Sequence, residues 1–260
     1  MKSINKLRVA VIGTGNFAEV CHIPGVLSHP DAEVVAVGGR NIENAQRLAE
    51  TFGIKHATDD IDALCASPNI DAITIASANC AHASQAIMAL NHGKHVFCEK
   101  PLAYNLWETR LIRETAAKYP KLSTQMGNQA HASVARRTIK EILNTGVIGP
   151  VREVHVWADR AWGLQDAASA EKFDKPHGFY NGLPIVDRFK EEMPIPANMN
   201  WDLWTGPAPA RPFHATYFPG PRWYRWWEFG NGTMSDLGSH DNDVPFTVLD
   251  LWRPDGKGGR

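Results

Sequence analysis

The 260-residue sequence has only four cysteines, Cys21, Cys65, Cys80 and Cys98, and no CxxC spacing among them. A chain of this length does not need a disulfide framework, so they are expected to be reduced, mostly buried thiols. An excess of one charge is also missing. The 27 Lys and Arg residues face 28 Asp and Glu residues, for a formal net charge of −1 and a pI near 6.8. That balance removes any global field favouring nucleic acid or an anionic membrane. No apolar run approaches membrane-spanning length, and Met1 to Arg8 reaches a strand too soon to leave room for a signal-peptide apolar region. A cytoplasmic protein is expected, with small molecules and other copies of itself as partners.

What is present is a rhythm. With 43% hydrophobic residues the chain can bury one large core or two smaller ones, and two domains are expected. From Leu7 to about Gly127 short apolar runs alternate with helical patterns. LRVAVIG precedes a helix from Asn16 to Ser28, and EVVAVGG precedes one from Asn41 to Phe52. DAITIAS leads into His82 to His92, HVFCE leads into Asn105 to Tyr119, and KLSTQMG closes the series. Val- and Ile-rich strands, each followed by a helix, predict an α/β domain built on a parallel sheet covered on both faces.

The second half has a different character. A helix is expected at about residues 131–145, ended by Gly146, followed by one clear strand at Val151 to Asp159. A stretch rich in Pro, Gly and Trp then runs from about 161 to 230, and a helical pattern from about Thr233 to Leu251. So long an irregular segment is either a cover over a site or a place where short elements escape notice.

Gly13-Thr14-Gly15-Asn16-Phe17-Ala18 follows the first strand and opens a helix, the context a GxGxxA dinucleotide fingerprint requires. Gly13 permits the tight turn, Gly15 lets a pyrophosphate approach the backbone, and Ala18 allows close helix packing. The N-terminal domain, 1–127, is therefore read as a doubly wound Rossmann domain binding NAD(P). An enzyme that grips the ribose 2′-hydroxyl of NAD carries Asp or Glu about 20 residues further on. Here the second strand ends Gly38-Gly39-Arg40-Asn41. Arg40 can meet a 2′-phosphate, or it can be a solvent-exposed residue at a helix start; the balance leans to NADP over NAD. On that reading, replacing Gly39 by Asp should move preference toward NAD.

Cys98-Glu99-Lys100-Pro101-Leu102 resembles the EKP motif of the glucose-fructose oxidoreductase and inositol dehydrogenase (Gfo/Idh/MocA) family. Ser77-Ala78-Asn79-Cys80-Ala81-His82 is similar to that family's TPNxxH segment, and Gln125-Met126-Gly127-Asn128-Gln129 follows the sixth strand. The resemblance extends through GPVREV at 149–154 and NWDLWTGP at 200–207 to a glycine-led DxGxH, in which Asp236 and His240 match. It implies cofactor contacts from Gly13, Thr14, Gly15, Asn16, Phe17, Gly39, Arg40, Ser77, Asn79, His82, Glu99, Lys100, Asn128 and Gln129. It also implies a catalytic set of Lys100, Asp236 and His240 around a reacting carbinol. On a helix, four residues separate Asp236 and His240, which places them on one face, while Gly238 would let a ring approach the backbone.

The implied chemistry is hydride transfer between nicotinamide and a sugar, polyol or related hydroxylated compound. Such an alcohol must lose its hydroxyl proton, a task for His240, while Lys100 stabilises charge on the same oxygen. Asp236 would position the substrate or the lysine, and Asp243, three residues beyond His240, would orient the imidazole. Transient oxidation leading to elimination, epimerisation or glycoside cleavage is the alternative within such families. A non-catalytic NAD(P) sensor is the alternative outside enzymes.

Other side chains remain open. Trp201, Trp204, Trp223, Tyr224, Trp226 and Trp227 either stack on sugar rings or pack the irregular segment. His131 either reaches the cofactor cleft or caps a helix, while His22 and His95 read as structural. No metal is expected, because the run Asp236, His240, Asp241, Asp243 lacks a second ligand group at a convincing spacing. No nucleic-acid or membrane partner is expected; a homo-oligomer is possible, since the family often pairs subunits through its second-domain sheet. The family's second domain rests on a large open sheet of which this sequence shows one strand. Residues 128–260 are therefore expected to form an incomplete, C-terminally truncated α+β substrate domain with a poorly held signature helix.

Overall fold

The computed structural model describes residues 6–157, 166–168, 187–217, 223, 226, 228–229 and 233–251. The chain divides into two compact units, Met1–Asn128 and Gln129–Arg260.

The first unit is a six-stranded sheet in the order β3-β2-β1-β4-β5-β6, with every pairing parallel. Its strands are β1 (Leu7–Ile12), β2 (Ala32–Gly38), β3 (His56–Thr58), β4 (Ala72–Ile75), β5 (His95–Glu99) and β6 (Thr124–Gly127). Parallel neighbours need crossovers, and the helices that make them are α1 (Ile23–Leu27), α2 (Ile42–Phe52), α3 (Ile61–Ala66), α4 (His82–Asn91) and α5 (Leu106–Lys118). Strand β3 and helix α3 are short elements that the apolar rhythm did not isolate.

Two hydrophobic clusters show that the sheet is doubly wound. Ala10, Ile12, Ile73, Ile75, Val96 and Cys98 pack with Leu64, Ala86 and Leu90 from α3 and α4. Val11, Val34 and Val37 pack with Ile23 from α1 and Ala45, Leu48 and Ala49 from α2. Val34 and Val37 share a cluster although three residues separate them. The cause is a register shift: Val9 faces Val34, but Ala10 faces Ala36, so Val35 is an extra residue and the alternation of β2 changes phase there.

The helix starts follow sequence signals. Asn41, Asp60 and Asn105 each accept a backbone N–H three residues ahead, from Asn44, Ala63 and Glu108 at 2.7, 2.9 and 2.9 Å. Glu108 in turn accepts from the Tyr104 N–H at 2.7 Å, which fixes the chain entering α5. Lys94, 7% exposed, is satisfied just before β5 by donating to the Ser67 and Ile70 carbonyls at 2.6 and 2.8 Å.

In the second unit, α6 spans Val134–Asn144, and further helices cover Trp201–Thr205, Thr233–Asp241 and Asp243–Val248. The strand expected at Val151 to Asp159 is not formed over 151–157, and 158 and 159 lie outside the described residues. Alternating valines propose a strand, but only a hydrogen-bonded neighbour makes one. Val154 and Val156 are exposed, and among the described residues of this unit no strand offers itself as a partner. Among the described residues no helix is long and apolar enough to cross a membrane.

Candidate functional site

The loops carrying the proposed cofactor contacts of the first unit leave the carboxyl ends of β1, β2, β4, β5 and β6. Because β1 lies beside β4 while β2 and β3 run off the other way, the strand order reverses between them. A crevice at this switch point is where open α/β sheets bind ligands.

The turn after β1 is shaped by its two glycines in different ways. Gly13, at φ 131°, presses on the end of β4 so closely that a Cβ there would stand 2.3 Å from the Ala76 carbonyl oxygen. Gly15 is exposed, and a Cβ on it would meet nothing within 4 Å. One glycine closes the turn against the sheet, and the other leaves bare backbone facing open space. Asn16 and Phe17 are also exposed, and the chain then enters a π-helical turn, Ala18–His22, that runs into α1. The exposed backbone at Gly15 suits the approach of a pyrophosphate, while the Glu19 N–H of the helical segment is already taken by the Gly15 carbonyl at 3.2 Å.

At the end of β2, Gly39 is buried and Arg40 exposed. A Cβ on Gly38 would run into Leu64 and Ile61, and one on Gly39 would stand 2.5 Å from Thr14 Cγ2. Thr14 is half-buried, so the turn after β1 and the end of β2 meet side chain against backbone.

The other two loops are tied together by a histidine. His82, 1% exposed, has Nδ1 2.7 Å from the Pro101 carbonyl oxygen and Nε2 3.2 Å from that of Ser77. A neutral imidazole donates from only one nitrogen, so the ring serves one of these acceptors at a time unless it is protonated. In the first unit this enclosed ring links the loop after β4 to the Lys100-Pro101 segment; its proposed place among the cofactor contacts is then one of support beneath the loops. Ser77 Oγ donates to Gln85 Oε1 at 2.6 Å, Asn79 begins a short 3-10 turn, and Lys100 is half-buried.

Glu99 faces inward. Its Oε1 lies 3.2 Å from His22 Nε2, and a Cβ on Gly127 would come within 2.5 Å of the same oxygen. The His22 ring stands edge-on to Phe17 and Phe97, with centroids 5.4 and 5.7 Å away. Sequence reasoning gave His22 no functional place, since nothing in its neighbours marks it. Only the fold brings the helix after the glycine turn against the end of β5. Asn128 is buried at the end of the first unit, and Gln129, exposed, opens the second.

Lys100 belongs to the first unit and Asp236 and His240 to the second, so each part of the proposed catalytic set is described on its own unit. Asp236 and His240 stand one turn apart on the Thr233–Asp241 helix, both half-buried. The backbone at Gly238 is not open as its sequence position suggested: Met234 Sδ lies 2.7 Å from where a Cβ would be. Arg136, from the first turn of α6, donates through Nη2 to the His240 carbonyl at 2.6 Å and through Nη1 to the Asp243 carboxylate. The same carboxylate has His131 Nδ1 3.1 Å from both its oxygens. Asp243 thus serves Arg136 and His131, and His131 serves a carboxylate rather than the start of a helix. Arg136 thereby holds the C-terminal end of the Thr233–Asp241 helix, and Lys140 adds an ion pair at 3.1 Å to Asp250, beyond the Asp243–Val248 helix.

Trp201, Phe213, Tyr217 and Trp226 form a small buried core with Phe189, Trp204 and Phe229 packed around it. Trp201 stacks on Trp204 at 4.9 Å and donates its indole N–H to the Arg211 carbonyl at 2.8 Å. Burial resolves the question left open for Trp201 and Trp226: they pack the irregular segment. Trp223 is half-buried, and Tyr224 and Trp227 lie outside the described residues. Two of the four thiols, Cys21 and Cys80, are exposed rather than buried. Among the described residues no group of three or more His, Cys, Asp or Glu is arranged to hold a metal ion.

Comparison with known proteins bears on both units. Residues 7–127 match the family profile described as an oxidoreductase family with an NAD-binding Rossmann fold, and residues 178–250 match its C-terminal alpha/beta domain. The D-glucoside 3-dehydrogenase of Escherichia coli is 34% identical over 60% of this chain and 43% of its own. The scyllo-inositol 2-dehydrogenase (NADP(+)) of Bacillus subtilis is 40% identical over 40% of this chain and 31% of its own. A solved 3-ketoreductase from Actinomadura kijaniata, in complex with TDP-benzene and NADP, superposes with a TM-score of 0.51 at 29% identity, covering 57% of this chain and 46% of that one. The chain spans less than half the length of each of these three relatives.

Proposed function

Because the chain belongs to the Gfo/Idh/MocA oxidoreductase family, we propose that it takes part in NAD(P)-dependent oxidation or reduction of a sugar, a polyol or a related hydroxylated ring. The observation that carries this reading is the contrast between Gly13, closed against β4, and Gly15, open above the start of a helix. A nicotinamide dinucleotide bound there supplies the hydride acceptor or donor.

The chain's own groups supply the proton chemistry. His240 takes the proton from the substrate hydroxyl, which requires a base that is neutral near physiological pH. Lys100 donates a hydrogen bond to the same oxygen and stabilises the negative charge that develops on it. Asp236, one turn before His240, positions the substrate or the lysine. Arg40, exposed beyond a strand end with no acidic residue, favours the 2′-phosphate of NADP, and two of the relatives are named with NADP. The carbohydrate-like names of the relatives support a hydroxylated substrate for this chain as well.

The test is to titrate the purified chain with NADPH and NADH and follow the nicotinamide fluorescence. Sugars and polyols would then be screened at the absorbance band of the reduced cofactor. Failure to bind either dinucleotide would reject the reading, and product formation without net cofactor reduction would shift it to transient oxidation.

A further inference from the structure

We infer that Thr14, through its contact with Gly39, is a specificity-determining residue for the dinucleotide, and that exchanging Gly39 alone cannot convert the site to NAD. This rests on the proposed dinucleotide site.

An acidic residue at position 39 must first place a Cβ, and the space it needs is filled. A Cβ there would lie 2.5 Å from Thr14 Cγ2 and 3.3 Å from Thr14 Oγ1, and 3.5 Å from Thr14 Cβ. Only the last is an ordinary contact. The two backbones cannot easily part, because Gly13 N–H donates to the Gly38 carbonyl at 2.8 Å and Gly39 N–H donates to the Thr58 carbonyl at 3.0 Å. Relief must come from turning the Thr14 side chain, a branched group stiff at χ1. Thr14 is half-buried and Gly39 buried, so little free volume is at hand. A carboxylate introduced at 39 would therefore be pushed off the line to the ribose hydroxyls that it must accept from. Removing both γ atoms by Thr14→Ala leaves the ordinary 3.5 Å contact and lifts the obstruction.

The experiment is a double-mutant cycle in which the unaltered chain, Thr14→Ala, Gly39→Asp and the double variant are each titrated with NAD and with NADP. The double variant should bind NAD about tenfold more tightly than Gly39→Asp alone, the size of coupling expected of residues in direct contact. A gain below about threefold, within the range of independent sites, would overturn the inference. A parallel arm needs no cofactor: Gly39→Ala should lower the melting temperature, and most of that loss should vanish in the Thr14→Ala background. An equal loss in both backgrounds would overturn the contact itself. Should the unaltered chain bind neither dinucleotide, the proposed function fails, while the melting arm still decides whether Thr14 and Gly39 are coupled.

Discussion

His22 Nε2 lies 3.2 Å from Glu99 Oε1, joining the helical segment behind the glycine turn to the strand end that precedes Lys100. The contact exists because Gly127, at the end of the neighbouring β6, leaves room for the Glu99 carboxylate. Gly127→Ala should push that carboxylate aside and destabilise the first unit by about 1–3 kcal/mol, the usual cost of overpacking a filled site. With Glu99 already cut back to Ala, the same change should cost far less. Urea unfolding of the four chains measures this, and additive losses would reject the arrangement.

Arg136 joins α6 to the His240 carbonyl and the Asp243 carboxylate. Arg136→Ala leaves Asp243, 18% exposed, without its guanidinium partner, at a cost of about 1–3 kcal/mol. Hydrogen exchange should accelerate across 233–248 and stay unchanged in β1 to β5; unaltered protection of the helix would dismiss the clamp.

Lys100→Ala and His240→Ala should each lower turnover about 10²–10⁴-fold while leaving cofactor affinity nearly intact, because both are assigned to the reacting oxygen. With an active substrate in hand, a drop of less than about tenfold in either variant would remove that residue from its role.

The Arg8 guanidinium, hydrogen-bonded to both oxygens of Asp71 at 3.0 and 2.7 Å, holds the Asp71 carboxyl down to about 2 from its ordinary 3.8. Since the folded-state value is depressed, the stabilisation is fully present above about pH 4 and is lost as pH falls through about 2. Both side chains are about one-third exposed, so solvent screening leaves on the order of 1 kcal/mol. Asp71→Asn should lower the melting temperature at neutral pH and make little difference near pH 2. A deficit that persists at acid pH would contradict the pairing.

Burial, and then the charge of Glu99, pushes the Cys98 thiol up to about 12, and burial pushes Cys65 up to about 11. Both should resist iodoacetamide at neutral pH in the native state, whereas the exposed Cys21 and Cys80 should react. Peptide mapping after brief labelling distinguishes them, and rapid modification of Cys98 would show that the β5 core opens readily.

The first unit was legible because its signals are local. Asn41 and Asn105 announce helices, Val- and Ile-rich runs announce buried parallel strands, and the glycine turn fixes where β1 ends. Strand β3 escaped because His56–Thr58 is three residues of mixed polarity paired only to β2. The His22–Glu99 and Arg136–His240 contacts were illegible for another reason: their partners are 77 and 104 residues apart, and neither residue type advertises the other. The Val151 to Asp159 pattern misled because alternation records a preference for two faces, while pairing depends on what lies alongside.

The extra residue in β2 reaches further than the strand that contains it. Val35 is taken up as a bulge, and beyond it Gly38 faces Leu64 on one side of the sheet and Gly39 faces Thr14 on the other. Deleting Val35 would close the bulge and let Val34 and Ala36 alternate directly, leaving Gly38 toward Leu64 and Gly39 toward Thr14, because Ala36, Val37 and Gly38 already sit opposite Ala10, Val11 and Ile12. A one-residue slip that paired Val35 with Ala10 would interchange those outlooks, so the bulge fixes which of two neighbouring glycines meets the turn after β1.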